Sequence, residues 1–430
     1  MSKNVIIVGG GLAGLAASIY LAKAGKSVTI FEKKRQLGGR AITHLRHGYR
    51  FNLGPHAVYR GGAAAAVYRE LGIALRGGTP KRRGIALYRG ERHRLPAAPL
   101  PLLFTGLLGA RAKLEAAALL FRLRRIDPKP YASMSAREWL VSHVRDARLR
   151  EVMEAYIRLA TYTDAPGELS AEAALGQLRL VLGGVMYVDE GWQKIVDALH
   201  SHAVTSGVNF VTSSRVVRVD HDDRVRGIEL GGLELEDRND TMSVALPEIP
   251  PEGMQGTRLP AGTVLLAVDP ETVDELVGEP MHNQATPVVA ACLDVALSKL
   301  PVKDATFALG IDQPLYFSVH SQWAQLTPRG GALVHAMKYR GDGTAPASEQ
   351  ELESLLDELQ PGWRELVVHR RYLPSMTVSN ALHKPAARRP APDTPIRGLY
   401  VAGDWVGETG MLSDAALSSA RAAAQAILAE

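Results

Sequence analysis

The sequence predicts an α/β protein: a doubly wound, mostly parallel sheet, joined to a second part of mixed sheet and helix. Three stretches carry this prediction. "NVIIVGGGLAGLAASIYLAKAG" from Asn4 reads as strand, glycine turn and helix, and "SVTIFE" from Ser27 supplies the next strand. "GTVLLAVDPETVDELVG" from Gly262 repeats the strand-to-helix pattern. So does "GLYVAGDWVGETGMLSDAALSSARAAAQAI" from Gly398, near the end of the chain. Unbroken apolar runs of this kind fit strands buried on both faces. A right-handed crossover places the first two side by side and parallel.

At 430 residues, with 46% apolar and 22% charged residues, the chain has the composition of a globular protein large enough for two domains. The lone cysteine, Cys292, excludes an internal disulfide and is expected to be buried in a reducing compartment. No secretory leader is expected before the first strand, so the expected location is cytoplasmic. "LPAAPLPLLFTGLLGA" (Leu95–Ala110) is uncharged, but short for a membrane span and broken by Pro96, Pro99 and Pro101. A net charge of +5, without interleaved aromatics or a recognition motif, argues against nucleic acid as a partner.

Along the chain, helical spacing dominates from Leu95 to Leu182, in "ARAKLEAAALLFRLRR" and "SAREWLVSHVRDARLREVMEAYIRLA". "RVVRVDHDDRVRGIEL" reads as a hairpin with its tip at His221 to Asp223. Gly231 to Gly262 reads as an irregular, proline-rich insertion. Val288–Leu297, Leu315–Val319 and Ala332–Tyr339 read as strands, and "ASEQELESLLDELQPGW" as a helix. The expected organisation is one domain from residues 1–85, 186–285 and 381–430, and a second from 86–185 and 286–380.

Gly9-x-Gly11-x-x-Gly14 lies between the first strand and its helix. The first glycine allows a tight turn, the second lets a pyrophosphate approach the backbone, and the third lets helix pack on strand. The helix-start N–H groups of Leu12 and Ala13 then face the phosphates. Glu32 ends the second strand eighteen residues after Gly14, where a carboxylate accepts from ribose hydroxyls, with Lys33 beside it. Gly38, Gly39 and Arg40 follow, and the two glycines allow a guanidinium to approach a pyrophosphate.

Together, "VIIVGGGLAGLAASIYLAKAGKSVTIFEKKRQLGGRA" resembles the amino terminus of the flavin-containing amine oxidase superfamily, which includes phytoene desaturases, squalene-associated FAD desaturases, protoporphyrinogen oxidases and monoamine oxidases. The resemblance implies an FAD cofactor. "GYRFNLGPHAVY" resembles the segment beneath the flavin, which places Gly54, Pro55 and His56 there. "YVDEGWQKIVDALHSHAVTSGVNF" resembles the family's glycine-bearing turn and helix, with Glu190 where glycine is frequent. "SSRVVRV" resembles the adenine-contacting strand, with Val216 or Val217 as the contact, and "TVLLAVDP" brings Ala267 near the flavin.

At the far end of the chain, Asp404 is implied to bond the ribityl chain or pyrophosphate, with Gly403 giving it room and Trp405 flanking the flavin. Gly410, Met411 and Leu412 would start a helix whose dipole favours negative charge on the pyrimidine ring. "AGDW" with Thr409 and Gly410 looks most like the desaturase branches, whereas "SDAALSSARAA" departs from their wording.

The implied reaction is hydride transfer from a substrate C–H to flavin, which needs little acid–base machinery. His56 is the polar candidate nearest the ring, and Lys338 in "ALVHAMKYR" is a second catalytic candidate. His335 and Lys338, three apart on a strand, should face opposite ways. No His/Cys/Asp/Glu grouping has metal-ligand spacing, so no metal is expected. Aromatic residues are only 6% of the chain, so no aromatic cage for an amine is evident and an apolar, isoprenoid-type small molecule is favoured as substrate. Residues 95–125, apolar with flanking cations, are expected to give peripheral contact at the inner face of a membrane. The electron acceptor is not indicated. Amine oxidase or protoporphyrinogen oxidase-like activity stays open, as does a GDP-dissociation-inhibitor-like role in binding prenyl groups without redox chemistry.

Overall fold

A computed structural model of the chain describes residues 4–231, 256–281, 285–341 and 347–430. β1 (Asn4–Val8), α1 (Leu12–Lys23) and β2 (Ser27–Phe31) form the expected unit. β1 is the middle strand of a five-stranded parallel sheet, between β2 and Val264–Leu266, with Asn209–Val211 and Leu399–Val401 at the edges. The strands are apolar throughout because both faces are covered. Val5, Ile7, Val28 and Ile30 face α1 and the C-terminal helix Leu412–Ala429. Ile6, Val8, Val264 and Val401 face a separate cluster on the other side. Ala16 and Ala17 of α1, and Ala420 and Ala423 of the C-terminal helix, are fully buried, and their small side chains let the two helices lie close together.

The second layer is a seven-stranded sheet, in the order Val367–Ser379, Val288–Leu297, Ala332–Tyr339, Leu315–Val319, Phe307–Gly310, Ile85–Tyr88 and Glu91–Arg94. Only the pairing of Phe307–Gly310 with Ile85–Tyr88 is parallel. One face packs on the helices between Ala110 and Gly183, and the other on Glu349–Leu359. Pro374 is tolerated in Val367–Ser379 because that strand is an edge and its register shifts there.

The structure departs from the sequence reading in one place. The long helical run after Ser135 is two helices, Ala136–His143 and Ala147–Thr161, because Val144 is extended and the Asp146 side chain caps the second. The expected hairpin is present: Val216–His221 pairs antiparallel with Val225–Leu230, which in turn pairs with Arg258–Pro260. Most of the expected proline-rich insertion, residues 232–255, lies outside the described residues. Leu95–Ala110 contains only the short helix Pro99–Phe104, and among the described residues no helix is long and apolar enough to cross a membrane.

Candidate active site

A groove of about 2380 Å³ runs from the carboxyl ends of β1 and β2 to the start of the C-terminal helix. It is larger than the roughly 300–1,000 Å³ of an ordinary small-ligand pocket. At one end the three glycines each answer a different constraint. Gly9 has φ +105°, and a Cβ there would lie 2.6 Å from the Ala267 carbonyl oxygen. A Cβ on Gly14 would lie 2.0 Å from the Gly9 carbonyl oxygen, inside the helix–strand contact. A Cβ on Gly11 meets nothing within 4 Å. Gly11 faces the groove and starts α1 with no capping side chain, so the first N–H groups there have no side-chain partner.

Glu32 also lines the groove. One oxygen accepts from the Gly10 N–H at 2.7 Å and the other from the Lys34 N–H at 2.9 Å. An ionised carboxylate has about four acceptor sites, so two remain for a hydroxyl-bearing ligand. Leu12, Ala13, Lys33, Val216, Val217 and Ala267 complete this end.

The middle of the groove is held by a charge pair. Arg40 reaches both oxygens of Asp404, at 2.9 and 2.8 Å, while the Asn380 backbone N–H and Nδ2 each donate to the same carboxylate at 3.0 Å. Burial would push the Asp404 carboxyl up, but the Arg40 guanidinium beside it holds it below the usual carboxylate range. Asp404 is 2% exposed, whereas the Arg40 side chain keeps 41% of its surface open at the groove. Gly38 and Gly39, with φ of +121° and +55°, shape the turn that presents Arg40.

Around Asp404 the chain folds back sharply. Ser419 donates to the Gly403 carbonyl at 2.8 Å and accepts from its N–H at 3.0 Å, and Ser418 donates to the Thr409 carbonyl at 3.0 Å. The serine pair that departs from desaturase wording is therefore a clamp on this turn. Arg389, which the sequence reading passed over, donates to the carbonyls of Asp404 and Gly410. Trp405, Gly410 and Met411 do not line the groove, contrary to expectation. Trp405 is buried with its indole N–H on the Val268 carbonyl, Met411 is buried, and Gly410 (φ +72°) makes room for Asp414. Leu412, Ser413 and Ala416 line the groove instead, and Leu412 holds the left-handed φ of +55° that a branched side chain rarely adopts.

Asp414 was also missed. Its Oδ1 accepts from the Ala64 N–H at 2.8 Å and its Oδ2 is buried without a partner. Burial pushes the carboxyl up to about 6. Gly62 is required beneath it, since a Cβ there would lie 2.3 Å from the carboxylate.

His56 and Pro55 form part of the groove wall, while Gly54 (φ +76°) supports the turn with Met376 against it. The His56 ring sits edge-on to Trp192 at 4.9 Å, and Nδ1 lies 3.1 Å from the Gly54 carbonyl oxygen. Burial pushes its pKa down to about 4, so the imidazole is neutral near pH 7. Ala57, Tyr59 and Tyr162 are shared with a second cavity of about 280 Å³, walled by aliphatic residues such as Leu120, Leu123, Leu159 and Leu178. Tyr156, Tyr187, Phe307, Tyr316 and Trp323 also line it. The low aromatic content concealed this gathering, because the rings come from separate elements.

Lys338 does not reach the groove. It points to the opposite face of its strand from His335 and binds Glu351 at 2.8 and 3.0 Å. His335 instead belongs to a buried row across four strands, with Arg371, Asp294 and Ser318 in register. His335 Nδ1 meets Asp294 Oδ1 at 2.6 Å, the Cys292 thiol donates to the same oxygen at 3.2 Å, and Arg371 holds Oδ2. Burial pushes the Asp294 carboxyl up, and His335 and Arg371 overcome that to bring it down to about 2. Cys292, Asp294 and His335 are thus a compact set of potential metal donors that chain spacing did not reveal. Their donor atoms already bond one another, and the guanidinium on Asp294 opposes a dication there.

Residues 12–272, more than half of the chain, match the family model for flavin containing amine oxidoreductases. The chain belongs to this family. It is an FAD-dependent oxidoreductase. Two curated relatives match over short stretches: a 4,4'-diaponeurosporene oxygenase of Staphylococcus aureus is 42% identical over 55 residues, 13% of this chain and 11% of that protein. A carotenoid 3,4-desaturase of Haloarcula japonica is 51% identical over 53 residues, 12% of this chain and 11% of that protein. The flavoenzyme thus aligns with only about a tenth of their length. Among solved structures, an oxidoreductase from Methanosarcina mazei is 19% identical with a TM-score of 0.72, covering 99% of this chain and 100% of that one. A putrescine oxidase bound to putrescine is 18% identical with a TM-score of 0.69, covering 100% of both chains. These two similarities establish the fold.

The residues fit FAD. The open side of Gly11 over an uncapped helix start suits a pyrophosphate, and Arg40 presents its exposed surface in the same groove.

Proposed function

We propose that the flavoenzyme oxidises a C–H bond of a largely apolar, isoprenoid-type substrate, held in the second cavity with its reacting carbon at the Tyr59–Tyr162 wall. In this reading Glu32 holds the ribose and the α1 start and Arg40 hold the phosphates. Asp404 fixes Arg40, and Leu412 to Ala416 border the ring system. When bound, FAD would supply the two-electron acceptor for the hydride, and the neighbouring carbon would release a proton as the double bond forms. Neutral His56 and the buried hydroxyls of Tyr59 and Tyr162 shape the wall without adding charge. The apolar cavity excludes water from the reacting carbon.

One observation carries this reading. The cavity that joins the groove has aliphatic and aromatic walls and no carboxylate among its lining residues, while Arg60, Lys81, Arg82 and Arg83 border it. An ammonium substrate would meet four cations and no counter-charge. The same part of the chain supports membrane contact. Leu100, Leu103, Phe104, Leu114 and Phe121 are each at least 60% exposed, beside Arg111, Lys113 and Arg122. An exposed apolar cluster with basic neighbours suits an anionic bilayer surface, where an apolar substrate would be taken up.

Anaerobic mixing with a carotenoid precursor, a protoporphyrinogen and a set of amines tests the substrate class. The expected result is bleaching of the flavin absorbance by the isoprenoid. Bleaching by amines alone would overturn the proposal.

A further inference from the structure

The four cations bordering the second cavity have a distinctive arrangement. Elsewhere the surface arginines of this chain are commonly matched with acids: Arg92 with Glu358, Arg370 with Glu349 and Glu353, Arg421 with Glu70. Arg60, Lys81, Arg82 and Arg83 have no carboxylate partner among the described residues. Three of them are nevertheless held in place. Arg60 donates to the Thr79 hydroxyl from Nε at 3.0 Å and from Nη2 at 2.6 Å. Arg82 donates to the Leu182 carbonyl at 2.6 Å, and the Lys81 ammonium lies 5.8 Å from the centre of the Trp323 ring. Thr79, Leu182 and Trp323 themselves line the cavity. Neutral anchors fix these cations without cancelling their charge. Gathering like charges beside a low-dielectric cavity is unfavourable until an anion joins them.

We infer that the substrate is an amphiphile, with an apolar body inside the cavity and an anionic head, carboxylate or phosphate, bound by Arg60, Lys81, Arg82 and Arg83. The inference rests on the apolar-substrate reading above and adds the head. Oxidation then takes place on the apolar body, at the Tyr59–Tyr162 wall, while the head stays among the cations. Both carboxylate and phosphate match the guanidinium fork.

Matched probes that differ only in the head test this. Binding of farnesyl phosphate and farnesol, and of palmitoleate and palmitoleyl alcohol, is measured by tryptophan fluorescence on the FAD-loaded protein and on the Lys81→Gln/Arg82→Gln/Arg83→Gln variant. The three side chains are exposed, so the variant should keep its flavin absorbance and melting temperature. The expected result is that each anion binds the wild type about tenfold or more tighter than its alcohol, a difference of about 1.4 kcal/mol. That preference should weaken in high salt and vanish in the variant, with alcohol binding unchanged. Equal binding of anion and alcohol to the wild type would overturn the anionic head and leave the apolar cavity standing. Failure of all four probes to bind would instead overturn the apolar-substrate reading beneath it. A separate arm uses vesicles of phosphatidylglycerol without probe. If the variant loses vesicle adsorption while the anion preference persists, the cations serve a lipid headgroup and the inference is wrong. If the preference is confined to phosphate or to carboxylate, the inference holds with the head identified.

Discussion

The Arg40 guanidinium grips both oxygens of the Asp404 carboxylate, joining two turns 364 residues apart in the chain. Both residues line the groove. Asp404 is buried and carries four hydrogen bonds, so it works through Arg40 and Asn380 as much as by facing a ligand directly.

Arg40→Ala should therefore do more than remove a ligand contact. It leaves a buried carboxylate without its guanidinium partner, at a cost on the order of 3 kcal/mol. Flavin absorbance after gel filtration should fall, and so should the melting temperature of the FAD-free protein. Asp404→Asn should have a smaller effect on both. An Arg40→Ala protein with full flavin and unchanged melting would contradict the pairing. Because the folded-state pKa of Asp404 is depressed, its stabilisation is complete above the unfolded value of about 4 and is lost as pH falls below it.

The glycines of the first turn separate packing from binding. Gly14→Ala drives a methyl into the Gly9 carbonyl, and the fold should be destabilised with or without FAD. Gly11→Ala fits the free protein but occupies the approach to the pyrophosphate. Its FAD-free melting curve should match wild type while FAD affinity drops by about tenfold or more. Calorimetry of both forms, with a fluorescence titration of FAD, distinguishes the two roles.

Two buried groups give pH effects of opposite sign. The folded pKa of His56, about 4, lies below its unfolded value, so His56 contributes stability above pH 6.5 that is lost as pH falls through 4. The folded pKa of Asp414, about 6, lies above its unfolded value. Its burden is absent at acid pH and appears as pH rises from about 4 through 6. Asp414→Asn should raise stability at pH 8 by about 3 kcal/mol and leave it nearly unchanged at pH 4. His56→Gln should flatten the loss between pH 6.5 and 4. Denaturant titrations across this range measure both.

Within the second sheet, Lys338 and Asp294 should behave differently. Lys338→Ala removes a part-exposed ion pair with Glu351 and should cost less than about 1 kcal/mol, with flavin retention unchanged. Asp294→Ala leaves Arg371 and His335 without their shared carboxylate and should cost about 3 kcal/mol or more. Urea melts of the two variants check the contrast.

The sequence by itself determined the architecture and one end of the site. Apolar strands and a glycine turn obey local rules, so β1, α1, β2 and the strands Val288–Leu297, Leu315–Val319 and Ala332–Tyr339 could be read directly. Gly11 and Glu32 were legible for the same reason, since the motif itself lies within one strand–helix–strand unit. Tertiary structure decided what depends on contacts between distant segments. It paired Asp404 with Arg40, turned Trp405 inward and Lys338 away, and used Ser418 and Ser419 as clamps. It also aligned Arg371, Asp294, His335 and Ser318 across four strands. The physical reason is register. Which side chains become neighbours across a sheet depends on how strands from remote parts of the chain slide into place, and local residue patterns fix each strand without fixing that alignment.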